Sequence, residues 1–148
     1  MVEWLAWGAE AFALARRERK PVLLSITAAW CRACHEMDRS TYADPQVAAL
    51  IRDRFIPIRV DTDRRPDIND RYNLGGWPTT AFLTADGRLM AGGTFVPADR
   101  MGGVLARVFD AFTSRAGEFA APAAMDAAVA STPTAGDAGA PDPDALVE

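Results

Sequence analysis

Two cysteines make up the whole thiol complement of this 148-residue chain, and they stand together in Trp30-Cys31-Arg32-Ala33-Cys34. A pair this close cannot staple distant segments, so it is there for chemistry or by chance. Free amide N–H groups and the macrodipole at a helix N-terminus stabilise a thiolate, and a cysteine there can titrate at roughly 3.5 to 7.5 against about 8.5 for a free thiol. Cys31 is the residue so placed if a helix begins behind Trp30, and Arg32 adds a positive charge beside it. Cys34, one turn further in, is close enough to attack a mixed disulfide on Cys31 and release the product. The expected chemistry is thiol–disulfide exchange, with Cys31 attacking and Cys34 resolving.

Other chemistries compete for the same residues. Cys31-Arg32-Ala33-Cys34-His35 spells a c-type haem-attachment motif, with Met37 or Met90 as an axial partner. Attachment calls for an exported protein and a haem crevice, and the pattern of the chain suggests neither. Zinc would find two thiolates and one imidazole on consecutive turns, one ligand short of a structural site. No cofactor and no metal are therefore expected, and His35 reads as a polar helix residue beside the site. The remaining alternative is a non-catalytic module, in which the pair senses redox state or docks within a larger protein.

The elements around the pair follow from periodicity and punctuation. Gly8 to Arg19 reads as a helix carrying Phe12 and Leu14 and closed by Lys20-Pro21. Val22-Leu23-Leu24-Ser25-Ile26 is a nearly continuous apolar run, the pattern of a strand buried on both faces. Ala28 to Trp30 forms the turn out of it, and Cys31 to Ser40 the next helix. Asp44-Pro45 opens another helix through Val47, Leu50 and Ile51. Phe55 to Val60 is a second strand; because Pro57 cannot donate to a ladder, it belongs at a sheet edge. Pro66 to Tyr72 is a short helix, Thr79 to Leu83 a third strand, and Ala85-Asp86-Gly87-Arg88 a turn into a fourth over Leu89 to Ala91. A helix from Ala98 to Thr113 closes the unit, with Met101, Val104, Leu105, Val108, Phe109 and Phe112 in one stripe. Trp30 and Trp77 are read as the apolar rim of the redox pair, Trp4 and Trp7 as core, and Asp61 and Asp67 as loop and cap residues.

Composition bounds the rest. With 49% hydrophobic and 24% charged residues the chain is ordinary globular material, and its longest apolar runs fall far short of the roughly 20 residues of a membrane span. Six acids and no base follow Arg115, so the preceding body carries 16 bases against 14 acids. That near-neutral body lacks the basic field of a nucleic-acid binder. The unit is expected over residues 3–115, followed by an Ala/Pro/Asp-rich tail or linker over 116–148.

With these residues in view, the chain from about Trp4 to Phe95 resembles a thioredoxin-fold domain, on Trp30-Cys31-x-x-Cys34 and Gly75-Gly76-Trp77-Pro78-Thr79. More narrowly, Cys34-His35-Glu36-Met37, Val60-Asp61 followed by Arg65-Pro66-Asp67-Ile68, Gly75-Gly76-Trp77-Pro78 and Gly92-Gly93-Thr94-Phe95 resemble the thioredoxin-like domain that opens proteins of the YyaL and spermatogenesis-associated type. There an α/α-barrel domain follows, so a downstream domain is an expected partner if this chain is a fragment. Trp30 to Val47 is also similar to the C-terminal thioredoxin-like domain of the transmembrane reductase of the disulfide-interchange (Dsb) system, a periplasmic enzyme.

The resemblance implies a thioredoxin-like three-layer α/β/α fold with a central mixed sheet of about four strands. It places Pro78 as a cis-proline beside the cysteines and gives the backbone of Trp77 to a substrate strand. Trp30, Arg32, Gly76, Trp77 and Pro78 then form the substrate-binding surface, with Cys31, Cys34 and Asp38 catalytic. Thioredoxins commonly carry a buried carboxylate six residues before the first cysteine, where this chain has Ser25. Asp38, one turn beyond Cys34, matches an acid of the Dsb-type domain and is the replacement expected, either as a partly desolvated carboxyl raised toward neutrality to take the resolving thiol's proton or as an exposed helix carboxylate. The expected activity is a protein-disulfide reductase or oxidoreductase acting on a protein or small-molecule disulfide or dithiol, without nucleic acid or membrane. No export signal is read at the N-terminus, so the expected location is cytoplasmic, where dithiols are kept reduced.

Overall fold

The computed structural model describes residues 2–114, so the expected tail over 116–148 lies outside the described residues. The elements are α1 (Ala9–Glu18), β1 (Val22–Thr27), α2 (Arg32–Arg39), α3 (Pro45–Arg54), β2 (Ile56–Asp61), α4 (Pro66–Tyr72), β3 (Thr79–Leu83), β4 (Leu89–Gly93) and α5 (Ala98–Ser114). The strands form one mixed sheet in the order β2-β1-β3-β4, parallel between β1 and β2 and antiparallel elsewhere.

β1 is central because its side chains are apolar on both faces. Val22, Leu24 and Ile26 pack with Phe12 of α1 and Ile68 and Tyr72 of α4. Leu23 turns the other way, onto Met37 of α2, Ile51 of α3 and Met101 and Leu105 of α5. The sheet is thus covered on both sides, and each fully buried aliphatic or aromatic side chain contributes on the order of 1.5–3 kcal/mol. β2 takes the edge position expected from Pro57. The register sets Pro57 beside Leu23, but its carbonyl accepts from Leu5 on the outer side at 2.8 Å. A strand residue points N–H and C=O the same way, so the missing donor also faces outward and β1 loses no partner. That outer edge is not bare: Leu5 forms a one-residue parallel bridge with Ile58, and its carbonyl accepts the Arg59 N–H at 3.0 Å.

One helix boundary has a local cause other than the one expected, and another has the cause expected. α1 ends because Arg19 turns left-handed (φ 58°), and Lys20 N–H then returns to the Ala15 carbonyl at 3.0 Å; the helix has stopped before Pro21. α3 begins where expected, with Asp44 Oδ1 accepting from Gln46 N–H at 2.8 Å and Val47 N–H at 3.3 Å. At β4, Gly92 is required by space: a Cβ there would meet the Thr80 carbonyl oxygen at 2.5 Å. Among the described residues no helix is long and apolar enough to cross a membrane.

Candidate active site

β1 delivers the chain to a turn over Ala28 to Trp30, which Cys31 N–H closes by donating to the Ala28 carbonyl at 3.0 Å. Cys31 then caps α2 with extended backbone (φ −91°, ψ 111°), and its Sγ accepts the Cys34 N–H at 3.1 Å. The two residues are joined as a disulfide, with Cα atoms 5.3 Å apart. Cys31 is 6% exposed and Cys34 2%, so both are buried and Cys31 is the less so. The same cap that accepts an N–H as a disulfide sulfur would hold charge as a thiolate.

The apolar wall around the pair comes from both sides of the chain. Cys31, Cys34 and Ala28 cluster with Ala33 and Trp77, the Trp77–Pro78 peptide is cis and Pro78 is buried. Trp30 is 61% exposed and meets Trp77 edge to face at 5.3 Å between ring centroids. Both indoles are tethered outside the redox pair. Trp30 Nε1 donates to Asp63 Oδ2 at 3.2 Å, and Trp77 Nε1 to Asn69 Oδ1 at 3.1 Å. Arg32 is exposed on the first turn of α2. Gly76 lies in the loop before Pro78, its N–H held by Asn73 Oδ1 at 3.0 Å. The structure therefore brings Trp30, Cys31, Cys34 and Trp77 together, with Pro78 next to Trp77 in the chain, Gly76 in the loop before it and Arg32 exposed on the first turn of α2.

Asp38, expected either as a partly desolvated carboxyl near Cys34 or as an exposed helix carboxylate, is paired across to the sheet. Both of its oxygens face Arg59 of β2, with Nη2 at 2.7 Å from Oδ1 and Nη1 at 3.1 Å from Oδ2. The Asp38 side chain is 38% exposed and that of Arg59 24%. The reason lies in the sheet register, which sets Ser25 beside Arg59. The guanidinium reaches over β1 so that Nη2 also donates to Ser25 Oγ at 3.4 Å, and it stacks 4.3 Å from the centroid of the Trp4 ring. The carboxylate absent at Ser25 is thus answered by a hydroxyl and a cation. His35 approaches the Ala29 carbonyl at 2.9 Å through Nε2; a carbonyl only accepts, so this nitrogen carries a proton.

Asn69, Asn73, Asp63 and Arg59 were not singled out from the sequence. Asn73 did carry a signal, an Asn directly before Leu74-Gly75-Gly76, the composition of a side-chain-closed turn. Asp63 and Arg59 act on partners far away in the chain, Trp30 and Asp38, and left no local trace; Asn69 lies four residues before Asn73, but its bond to Trp77 depends on the fold of the loop between.

The chain is 34% identical to Spermatogenesis-associated protein 20 of Homo sapiens over 106 residues, which is 66% of this chain and 14% of that protein. It therefore spans about one seventh of that relative's length. Among solved structures, the DsbD C-terminal domain of Neisseria meningitidis in its oxidised form superposes with a TM-score of 0.56 at 27% identity, covering 67% of this chain and 90% of that one. A thioredoxin from Thermus thermophilus superposes with a TM-score of 0.67 at 24% identity, covering 78% and 92%. The four-stranded mixed sheet and its flanking helices are thus thioredoxin-like. A family described as "Thioredox_DsbH: Protein of unknown function, DUF255" matches residues 1–124, and the chain belongs to that family.

Proposed function

We propose that this domain is a thiol–disulfide oxidoreductase acting through Cys31 and Cys34. One observation carries the reading: the paired sulfurs sit at the start of α2, with Cys31 Sγ accepting a backbone N–H. Their wall contains Trp77, whose peptide bond to Pro78 is cis. In the reducing direction the Cys31 thiolate attacks one sulfur of a substrate disulfide, and the other substrate sulfur leaves as a thiolate that takes a proton from solvent. Cys34 loses its proton and attacks Cys31 Sγ, which frees the second substrate thiolate. Two electrons pass to the substrate, and the domain is left with the Cys31–Cys34 disulfide.

Trp30, Arg32, Gly76, Trp77 and Pro78 form the surface that receives the substrate in this reading, which is a protein or small-molecule disulfide. The partly exposed wall supports that assignment. Asp38, bound by Arg59 through both oxygens, serves as the tie between α2 and the sheet, and the proton of Cys34 passes to solvent. Reduction as the physiological direction and the cytosol as the compartment belong to the same proposal, since dithiols persist there.

Insulin reduction followed by turbidity tests the activity, with Cys31→Ser, Cys34→Ser and the double variant as controls. The wild-type domain is expected to accelerate precipitation and the double variant not to. A wild-type rate equal to that of the double variant would leave only a redox-sensing or docking module.

A further inference from the structure

Behind the wall of the redox pair lies a hub of two side-chain amides whose bonds all converge on the loop that carries Trp77 and Pro78. Asn69, in the last turn of α4, accepts at one oxygen from two donors, Trp77 Nε1 at 3.1 Å and Asn73 Nδ2 at 2.9 Å. Asn73, which caps the C-terminus of α4, accepts at Oδ1 from Gly75 N–H at 2.8 Å and Gly76 N–H at 3.0 Å. Its Nδ2 also reaches the Gly76 carbonyl at 3.2 Å. Thr79 Oγ1 closes the loop from the other end, donating to the same Gly76 carbonyl at 2.7 Å and accepting from Leu74 N–H at 3.1 Å. Gly75 takes φ 109°, a conformation that L side chains rarely adopt. The loop conformation is therefore over-determined by side chains that touch neither sulfur.

Such bonds fix a backbone and one indole, and the groups that would read this precision are those a long substrate must contact simultaneously. A small disulfide needs only the exposed edge of Cys31. On the substrate surface proposed above, a peptide disulfide also lays its backbone along Gly76 and Trp77, and the cost of ordering that loop falls on binding unless it is ordered beforehand.

We infer that Asn69 and Asn73 are positioning residues that pre-form the Gly75–Trp77 backbone for an extended peptide, and so make the site favour protein disulfides over small ones. The inference rests on the oxidoreductase reading and narrows its substrate class. Asn69 is the cleaner position to perturb, because Asn69→Asp keeps an acceptor for both donors whereas Asn69→Ala removes it.

The test uses the pre-reduced domain in single turnover, with insulin as the protein disulfide and 5,5′-dithiobis(2-nitrobenzoate) as the small one. Insulin reaction is followed by rapid quench and alkylation, and the aryl disulfide by release of its coloured thiolate. Asn69→Ala is expected to lower the insulin rate constant about tenfold while the aryl disulfide rate stays within about twofold, and Asn69→Asp to restore most of the loss. Should Asn69→Ala not fold, Asn73→Asp keeps the bonds to Gly75 and Gly76 N–H, loses the two made by Nδ2, and is expected to show the same split in smaller measure. Equal losses with both substrates, no loss with either, or an Asn69→Asp variant as slow as Asn69→Ala would each overturn the inference. A wild-type domain inert toward both disulfides would instead bring down the oxidoreductase reading, and this inference with it.

Discussion

Asp38→Asn separates two roles for the carboxylate one turn beyond Cys34. Asp38 and Arg59 form a bidentate pair at 2.7 and 3.1 Å with side-chain exposures of 38% and 24%. Exposed pairs contribute about 0–1 kcal/mol, whereas breaking a buried pair costs about 3–5 kcal/mol. Partial burial and two-point geometry put this pair between them, so Asp38→Asn should destabilise the domain by about 1–2 kcal/mol. Arg59→Met also removes the contact to Ser25 and the stacking on Trp4, the latter alone worth roughly 0.5–2 kcal/mol, and should cost more. Guanidinium unfolding of the two single variants and the double variant, at constant m-value, gives the coupling, expected near 1 kcal/mol. Stopped-flow traces on the same Asp38→Asn protein supply the kinetic half. Attack by Cys31 and release by Cys34 should both remain within about twofold of wild type, because a carboxylate engaged at both oxygens is a tie and not a base. A release step slowed tenfold or more, with attack unchanged, would refute that reasoning and make Asp38 the proton acceptor of Cys34.

Three further outcomes follow from local geometry. Arg19→Gly relieves a left-handed residue at the end of α1 and should stabilise the domain by up to about 1 kcal/mol, visible as a rise of a few degrees in melting temperature. Asp44→Ala removes the acceptor for Gln46 and Val47 N–H and should cost about 1 kcal/mol in denaturant unfolding. Burial pushes the Tyr42 hydroxyl from 10.0 up to about 12, so the folded state resists ionisation that the unfolded chain accepts. The stability this confers is whole below pH 10 and disappears as pH rises toward 12, on the order of 2–3 kcal/mol; unfolding midpoints measured across that window should fall less in Tyr42→Phe than in wild type.

How much of this was legible depended on whether the cause of each feature was local. The run Val22 to Ile26, the cap Asp44-Pro45 and the missing donor of Pro57 each act within a few residues, and β1, α3 and the edge position of β2 emerged from them. Cys31 at the helix start was readable for the same reason: an apolar strand, a short turn and two cysteines one turn apart are contiguous. Arg59 was not, because its partner Asp38 lies on a different element and only the register of β2 against β1 brings Arg59 beside Ser25. Leu5 escaped because a one-residue bridge has no period to detect. Asn69 sits four residues before Asn73, a spacing visible on any helix, but its bond to Trp77 depends on how the following loop folds back. Arg19 was hidden by a stronger signal, since Pro21 supplied a sufficient reason for the helix to end.

The central claim is that Cys31 attacks and Cys34 resolves, and intact-protein mass spectrometry of trapped intermediates tests it most directly. Reduced Cys34→Ser mixed with insulin should accumulate a covalent adduct that dithiothreitol reverses, with the linkage mapped to Cys31. Cys31→Ser under the same conditions should form little, because its remaining thiol lies inside α2, away from the capping position, on a residue 2% exposed against 6% for Cys31. Adducts of equal yield on the two variants, or a greater yield on Cys31→Ser, would contradict the assignment of the two sulfurs.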